Sequence, residues 1–364
     1  MINRIERYLK DTAMIPALSG HEQKLTAYMK REFESLGFKT EIDIFGNCIA
    51  RIKGTDQEAP VIMVFAHMDS LGFLVRYIEE DGFIRIERLG GIPEKVLPST
   101  QIQIQCRDGS MVDGVIGVKA HHVTLPEEKY VVDKYMKLFI DIGATSKQQV
   151  IDLGIDIGSP IVYKPKFQKL QGTRAILSAA DDRGGCTAIL ELANLLRDDN
   201  PQKCNIYLVG SVQEEYNLRG AMMAARTVKP DIAVGIDVGG ASDTPDLKGF
   251  GDIKCGHGPT MSMYNFHGRG TLNGTIPHPA MVRLFEEASK RTGIKFQRSA
   301  SIGGLTDLSY VQLEGKGVKC IDVGFPGRYT HSPCEFVDMG DIEKLSLWVF
   351  DFLKNVDKNT DFSR

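Results

Sequence analysis

The 364-residue chain predicts an α/β domain interrupted by an all-β insertion of about a hundred residues. Three observations carry this. Amphipathic and apolar runs of α/β character open the chain. After Asp69 the texture changes to short alternating runs punctuated by Gly, Pro and Asp pairs at turn spacing. From about Leu177 the α/β pattern returns and continues to the end.

In order, the segment from Glu22 to Leu36 is amphipathic at helical spacing, Lys39 to Ile52 alternates like a strand, and the apolar run Val61 to Ala66 reads as a buried parallel strand. Gly72 to Ile78, Phe83 to Leu89, Gln101 to Arg107 and Met136 to Asp141 alternate in short stretches, the pattern of a small barrel or sandwich. A helix follows over Gly184 to Leu196, strands over Asn205 to Val212 and Asp231 to Val238, and helices over Pro279 to Arg291 and Asp341 to Asn355. The expected division is residues 1–70 and 172–364 in one discontinuous domain and 71–171 in the insertion. No internal repeat or low-complexity linker is present.

Composition excludes several classes. The formal net charge of -3 is small for this length, and no Lys/Arg block or acidic tail stands out, so neither nucleic acid nor a membrane surface is an expected partner. The first twenty residues lack an apolar signal core, and no stretch is apolar for the roughly 18 residues of a membrane span, so a cytoplasmic location is expected. Seven cysteines are scattered singly with no CxxC pair, which points to free thiols rather than a disulfide framework.

Five stretches concentrate chemistry. In Val64-Phe65-Ala66-His67-Met68-Asp69 an apolar strand runs into a His-x-Asp whose two side chains share a face, at the strand end where open α/β sheets collect ligands. A His hydrogen-bonded at a strand end explains His67 equally well by itself. Ala180-Asp181-Asp182-Arg183-Gly184-Gly185 puts two carboxylates before a helix. Capping accounts for either one, and the pair also allows one Asp to cap while the other spans two cations. Leu208 to Glu215 ends an apolar strand in Gln213-Glu214-Glu215, where neighbouring acids can take different roles or form a solvated pair. Asp237 lies inside the apolar run Ile232 to Val238, where a carboxylate is costly unless paired or metal-bound. His331, in Gly327-Arg328-Tyr329-Thr330-His331-Ser332-Pro333, follows the mostly apolar run Ile321 to Phe325. Together these imidazoles and hard carboxylates make the mixed N/O shell that a pair of Zn²⁺-like ions requires. Such a pair would activate a bridging water and polarise a carbonyl, with Glu214 taking the proton from the water and passing it to a leaving amine.

At these stretches the sequence resembles the M42 family of metallo-aminopeptidases, from its first helix to its last. The family pattern of His-x-Asp, Asp-Asp/Asn-Arg, Glu-Glu, a strand-ending Asp and Arg-Tyr-x-His-Ser appears as His67-Met68-Asp69, Asp181-Asp182-Arg183, Glu214-Glu215, Asp237 and Arg328-Tyr329-Thr330-His331-Ser332. The resemblance implies a mixed-sheet α/β/α metallopeptidase domain with an inserted small, barrel-like dimerisation domain. It implies that Asp181 bridges two divalent ions, Zn²⁺ or Co²⁺ with Mn²⁺ as a further choice, with His67 and Asp237 completing one site and Glu215 and His331 the other. It makes Glu214 the general base and Asp69 the carboxylate that orients His67. It implies peptide substrates and self-association into a homododecamer built from dimers.

The sequence departs from the family at Asp69-Ser70-Leu71-Gly72-Phe73, at Gly303-Gly304-Leu305-Thr306-Asp307, and after Gly258-Pro259, where the usual Asp is absent; these segments are expected to border the substrate pocket. The preferred N-terminal residue stays open. The alternatives are a metal-dependent deacylase of N-acyl amino acids, which shares the site logic, and an endoglucanase-type glycosidase, disfavoured because the His and Asp residues leave no free carboxylate pair flanking a glycosidic bond. Gly268 to Gly274 is read as an ordinary loop, not a dinucleotide fingerprint. His121 and His122 are read as a surface loop, with His122 as a candidate to reach a neighbouring subunit's site.

Overall fold

The computed structural model describes residues 1–267 and 274–364; the expected loop over Gly268 to Gly274 therefore lies, but for its last residue, outside the described residues. Two helices, α1 (Ile2–Ala13) and α2 (Gln23–Ser35), lead into the strands β1 (Lys39–Ile42), β2 (Cys48–Ile52) and β3 (Val61–His67). The expected single strand over Lys39 to Ile52 is an antiparallel hairpin. Asp43 accepts bonds from the amides of Phe45, Gly46 and Asn47, all at 2.9 Å, and so turns the chain between β1 and β2. Helix α1 was not among the expected elements. Its Ile5, Tyr8, Leu9 and Ala13 form a buried stripe hidden in a polar stretch.

The insertion is a closed six-stranded barrel. Its strands are β4 (Gly72–Ile78), β5 (Ile84–Leu89), β6 (Gln101–Gln105), β7 (Met111–Ile116), β8 (Phe139–Asp141) and β9 (Pro160–Tyr163), with the short helix α3 (Lys147–Asp152) before the last. Alternation points Phe73, Val75, Ile84, Ile86, Ile102, Ile104, Ile140 and Ile161 into one apolar core. His121 and His122 sit on an exposed turn between β7 and β8.

The chain then returns to the large sheet through β10 (Phe167–Lys169) and β11 (Arg174–Leu177), followed by α4 (Ala180–Asp198), β12 (Asn205–Ser211), α5 (Gly220–Val228) and β13 (Ile232–Gly240). After these come β14 (Thr260–Phe266), β15 (Gly274–Thr275), α6 (Pro279–Thr292), β16 (Gln297–Ile302), α7 (Leu308–Val311), β17 (Lys319–Arg328), β18 (Glu335–Asp338) and α8 (Met339–Asn355). Among the described residues twelve strands form one mixed sheet whose main path is β1-β2-β12-β3-β13-β17-β18-β11-β10. Its centre, β12-β3-β13-β17, is parallel. Ile62, Val64, Ala66, Val234, Ile236 and Val323 face α4 and α8, while Met63, Phe65, Val209 and Ala233 face α5 and α7. Helices thus cover both faces, which is why these strands are apolar along most of their length.

All seven cysteines are free, and only Cys334 is exposed. Among the described residues no helix is long and apolar enough to cross a membrane.

Candidate functional site

The parallel strands end together at one edge of the sheet. Because β3 and β13 are paired from Ile232/Ile62 to Gly235/Phe65, alternation carries the next same-face residues, His67 and Asp237, to the carboxyl edge side by side. Beyond β12, whose last residue Ser211 pairs with His67, the chain turns at Gln213 (φ 55°) and presents Glu214 and Glu215 to the same edge. Asp181 enters from the start of α4, where Asp181 and Asp182 leave helical geometry. Asp182 is the capping member of that pair, its carboxylate accepting the Gly185 amide at 2.8 Å. His331 arrives on the turn after β17, at φ 64°.

The two imidazoles are held alike. His67 Nδ1 lies 3.1 Å from the carbonyl oxygen of Asp69, and His331 Nδ1 lies 2.6 Å from that of Gly91, a residue of the inserted segment. Each Nδ1–H therefore donates to a backbone carbonyl and leaves Nε2 as the free donor atom. The two Nε2 atoms address the two oxygens of one carboxylate: His67 Nε2 is 3.0 Å from Asp181 Oδ1, and His331 Nε2 is 3.4 Å from Asp181 Oδ2 and 3.8 Å from Glu215 Oε1. Asp69 reaches His67 through its carbonyl more closely than through its carboxylate, which is 3.6 Å from Nδ1. That carboxylate instead accepts the backbone amides of Glu214 and Glu215 at 2.9 and 3.0 Å and the Ser19 hydroxyl at 2.5 Å.

Electrostatically the site is a crowd of buried acids. Burial, with repulsion from Glu215, Asp237 and Asp307, raises the Glu214 carboxyl well above its ordinary range. Burial and Asp181 push Glu215 up to about 8 and raise Asp237 strongly. Asp181 goes the other way: burial opposes ionisation, but the two imidazoles outweigh it and lower its pKa. For His67 burial disfavours the charged ring, yet Glu214, Asp181 and Asp69 together raise it, and His331 is raised to about 10 against the same burial by Asp181 and Glu215.

Such a shell fits divalent cations. Ligand atoms of His67, Asp181 and Glu215 lie within 4.8 Å of one another, as do those of His67, Glu214 and Asp237. Among the described residues Glu215 Oε1, which is buried, has no hydrogen-bond partner. Imidazole nitrogens and carboxylate oxygens are the donors that Zn²⁺-like ions take, and a cation placed between Nε2 and Asp181 would relieve the lone-pair conflict that otherwise demands protonated rings.

Glu335 and Asp322 were given no role in the sequence, whereas Thr306 and Asp307 belong to a segment expected to border the substrate pocket and Arg183 to the Asp181-Asp182-Arg183 motif. Glu335 accepts the amides of both Asp181 (2.9 Å) and His331 (2.6 Å), tying two of the site's segments together. Burial and Asp181 push it up to about 8. Thr306, Asp307 and Asp322 line the recess beneath His67, Glu214 and Asp237. Asp307 accepts from the Ser211 hydroxyl at 2.9 Å; Asp322 accepts from Asn265, Thr275 and Thr306 at 2.9–3.2 Å. Asp322 carried a readable signal, an acid within the apolar strand Cys320 to Phe325, the same anomaly that marks Asp237. Arg183 is fully buried and donates to the carbonyls of Met68 and Ile15.

The family profile described as M42 glutamyl aminopeptidase matches residues 46–347. SgcX of Escherichia coli strain K12, named as an aminopeptidase only provisionally, is 39% identical over 326 residues, covering 90% of this chain and 87% of its own length. The aminopeptidase APDkam598 of the archaeon Desulfurococcus kamchatkensis superposes with a TM-score of 0.91 at 32% identity, over 98% of this chain and 96% of that one. The TET1 peptidase of Pyrococcus horikoshii, described as assembling into a tetrahedron or a large octahedral shell, superposes with a TM-score of 0.85 at 28% identity, over 97% of this chain and all of that one (100%).

Proposed function

The chain belongs to the M42 peptidase family, and on that premise we propose that it is a metal-dependent aminopeptidase that removes N-terminal residues from peptides. The observation that carries this reading is the disposition of His67 and His331, whose Nε2 atoms address the two oxygens of Asp181 while Glu214 is buried alongside. In this reading Asp181, His67, Asp237, Glu215 and His331 would hold two divalent ions, with Asp181 common to both, His67 and Asp237 serving one site and Glu215 and His331 the other. The donor set suits Zn²⁺ or Co²⁺, with Mn²⁺ also compatible. When bound, the pair supplies an activated water and a polarised substrate carbonyl.

Glu214 is the general base. Buried beside His67 and Asp237, it would take a proton from the water and return it to the leaving amine. Asp69 acts on the reaction through two backbone contacts, its carbonyl fixing the His67 tautomer and its carboxylate fixing the amides of Glu214 and Glu215. Gly91 gives His331 the same service from the inserted segment.

Residues 1–70 and 172–364 form the catalytic domain in this proposal, and 71–171 the oligomerisation domain. The run from Val115 to Met136 exposes Val118, Val123, Leu125, Tyr130, Val131 and Val132, an apolar surface suited to a second copy of the chain. Assembly into a homododecamer built from dimers, in the cytoplasm, is the state proposed.

The test is hydrolysis of a panel of aminoacyl amides and matching N-acyl amino acids by metal-stripped protein with each metal restored. Cleavage of free N-termini that needs metal, and that falls about 10³-fold or more in Glu214→Gln with metal content unchanged, is expected. Metal-dependent cleavage of the acylated set alone would replace this reading with the deacylase.

A further inference from the structure

Among the described residues the strand β12 has no ladder partner past Ser211, yet the next four amides are all buried or half-buried and need acceptors. Each finds one on a side chain from the first seventy residues. Val212 N–H donates to Asn47 Oδ1 at 3.1 Å, Gln213 N–H to Glu22 Oε1 at 3.1 Å, Glu214 N–H to Asp69 Oδ1 at 2.9 Å and Glu215 N–H to Asp69 Oδ2 at 3.0 Å. Glu22, Asn47 and Asp69 are all at least nine-tenths buried.

The clamp sits where the backbone is least self-supporting. Gln213 is left-handed at φ 55°, and Asn217 and Leu218 follow at 72° and 56°, conformations that residues other than glycine rarely adopt unless surroundings impose them. Gly220 is packed so tightly under this turn that a Cβ would stand 2.1 Å from the Val212 carbonyl oxygen and 2.6 Å from Asn47 Oδ1. Glu22 is itself fixed, since its Oε1 also accepts the Gly20 amide at 2.7 Å. Ser19, three residues earlier, donates to Asp69 at 2.5 Å, so one short N-terminal segment braces both carboxylates of the clamp.

We propose that Glu22 is a positioning residue: by accepting the Gln213 amide it sets the turn that aims Glu214 and Glu215 at the reacting centre. Among the described residues Glu22 has no hydrogen bond to the side chains of His67, Asp181, Glu215, Asp237 or His331, and it acts through the backbone. The proposal rests on the aminopeptidase reading for its kinetic consequence. Displacing a base by a fraction of an ångström costs rate before it costs binding, so the effect falls on kcat.

The test compares Glu22→Ala and Glu22→Gln with the unaltered full-length protein, reading kcat and KM on its best aminoacyl amide, Co²⁺ affinity, and hydrogen exchange of the 212–215 amides. Glu22→Ala should lower kcat about tenfold or more, leave KM within about threefold, weaken Co²⁺ binding and speed exchange at 212–215. Glu22→Gln retains an acceptor oxygen and should recover kcat to within about threefold of the unaltered enzyme. Should Glu22→Ala fail to fold, Glu22→Asp withdraws the acceptor by one methylene and is expected to show the same pattern. Faster exchange with unchanged kcat, or a Gln variant as impaired as the Ala variant, overturns the proposal. If the unaltered protein cleaves none of the amides, the aminopeptidase reading fails by itself, and Co²⁺ affinity unchanged in Glu22→Ala then overturns the positioning role.

Discussion

The large sheet and the barrel are built from the same alternating strands and spend that alternation differently. In the barrel the inward positions are apolar, Phe73, Ile84, Ile102, Ile140 and Ile161 among them, and the unusual residues lie outside, as exposed apolar side chains between Val115 and Met136. In the sheet the outer surface is ordinary, and the unusual residues are inside. One face of β3, β13 and β17 carries Phe65 then His67, Gly235 then Asp237, and Cys320 then Asp322, so that packing residues give way to ionisable groups within one same-face step. Gly235 makes room for this, because a Cβ there would lie 2.5 Å from Asp322 Oδ1. The barrel interior is therefore a source of stability, and the sheet edge holds destabilising charges in return for chemistry.

The most severe test of that contrast is to alter one residue in each place. Phe73→Ala removes a fully buried ring that packs edge-on to Tyr163 and should cost about 3–5 kcal/mol in chemical denaturation, with activity per folded subunit kept. Asp237→Asn should do the reverse: activity falls by orders of magnitude with one ion lost, while the metal-stripped protein becomes more stable by about 1 kcal/mol, since a buried acid crowded by Asp181 is neutralised. A destabilised Asp237→Asn would erase the distinction between the two regions.

Proton linkage sharpens it further. In the protein without cations burial pushes Glu215 and Glu335 up to about 8 and Asp307 up to about 7, and the rings of His67 and His331 are raised as well. Every one of these groups binds its proton more tightly folded than unfolded, so the stripped protein loses stability as pH rises from about 4 towards 8 and beyond. Asp181, whose pKa is lowered, acts in the opposite sense, but only at acid pH. Divalent cations prefer the deprotonated forms, so the rise in Tm on adding Zn²⁺ or Co²⁺ should be several degrees larger at pH 8 than at pH 6. An equal rise at both values would mean that these acids are not the ligands.

What could be read in the sequence follows the same divide. Residues that break a local pattern were legible: His67 and Asp237 stand at the ends of apolar strands, Asp181-Asp182 at a helix start, and Glu214-Glu215 beyond a strand exit. The barrel was legible as a change of periodicity. Residues whose role lies in a distant partner were not. Glu22 opens an amphipathic stretch and reads as an ordinary helix start, yet its partner amide is 191 positions away. Glu335 sits in a four-residue strand and joins segments 154 positions apart. Helix α1 was missed because its apolar stripe is one face of an otherwise polar stretch, and the β1/β2 turn because strand alternation continues through the residues that Asp43 bends.

The smallest expected effect on the fold, and the one that addresses the barrel's exterior, comes from Tyr130 and Val131. They are 94% and 63% exposed in the single chain, so replacing both with Ser removes no packing from the subunit and should change its unfolding free energy by less than about 0.5 kcal/mol. If this surface meets a second copy, the same change removes apolar area from the contact, worth about 1 kcal/mol for each well-buried side chain, and that loss recurs at every equivalent contact of a symmetric assembly. Light scattering coupled to size exclusion should show the double variant shifted towards smaller species at micromolar concentration, with subunit Tm little changed. An unaltered mass distribution would place the assembly contacts elsewhere and leave the exposed run between Val115 and Met136 without a partner in the homo-oligomer.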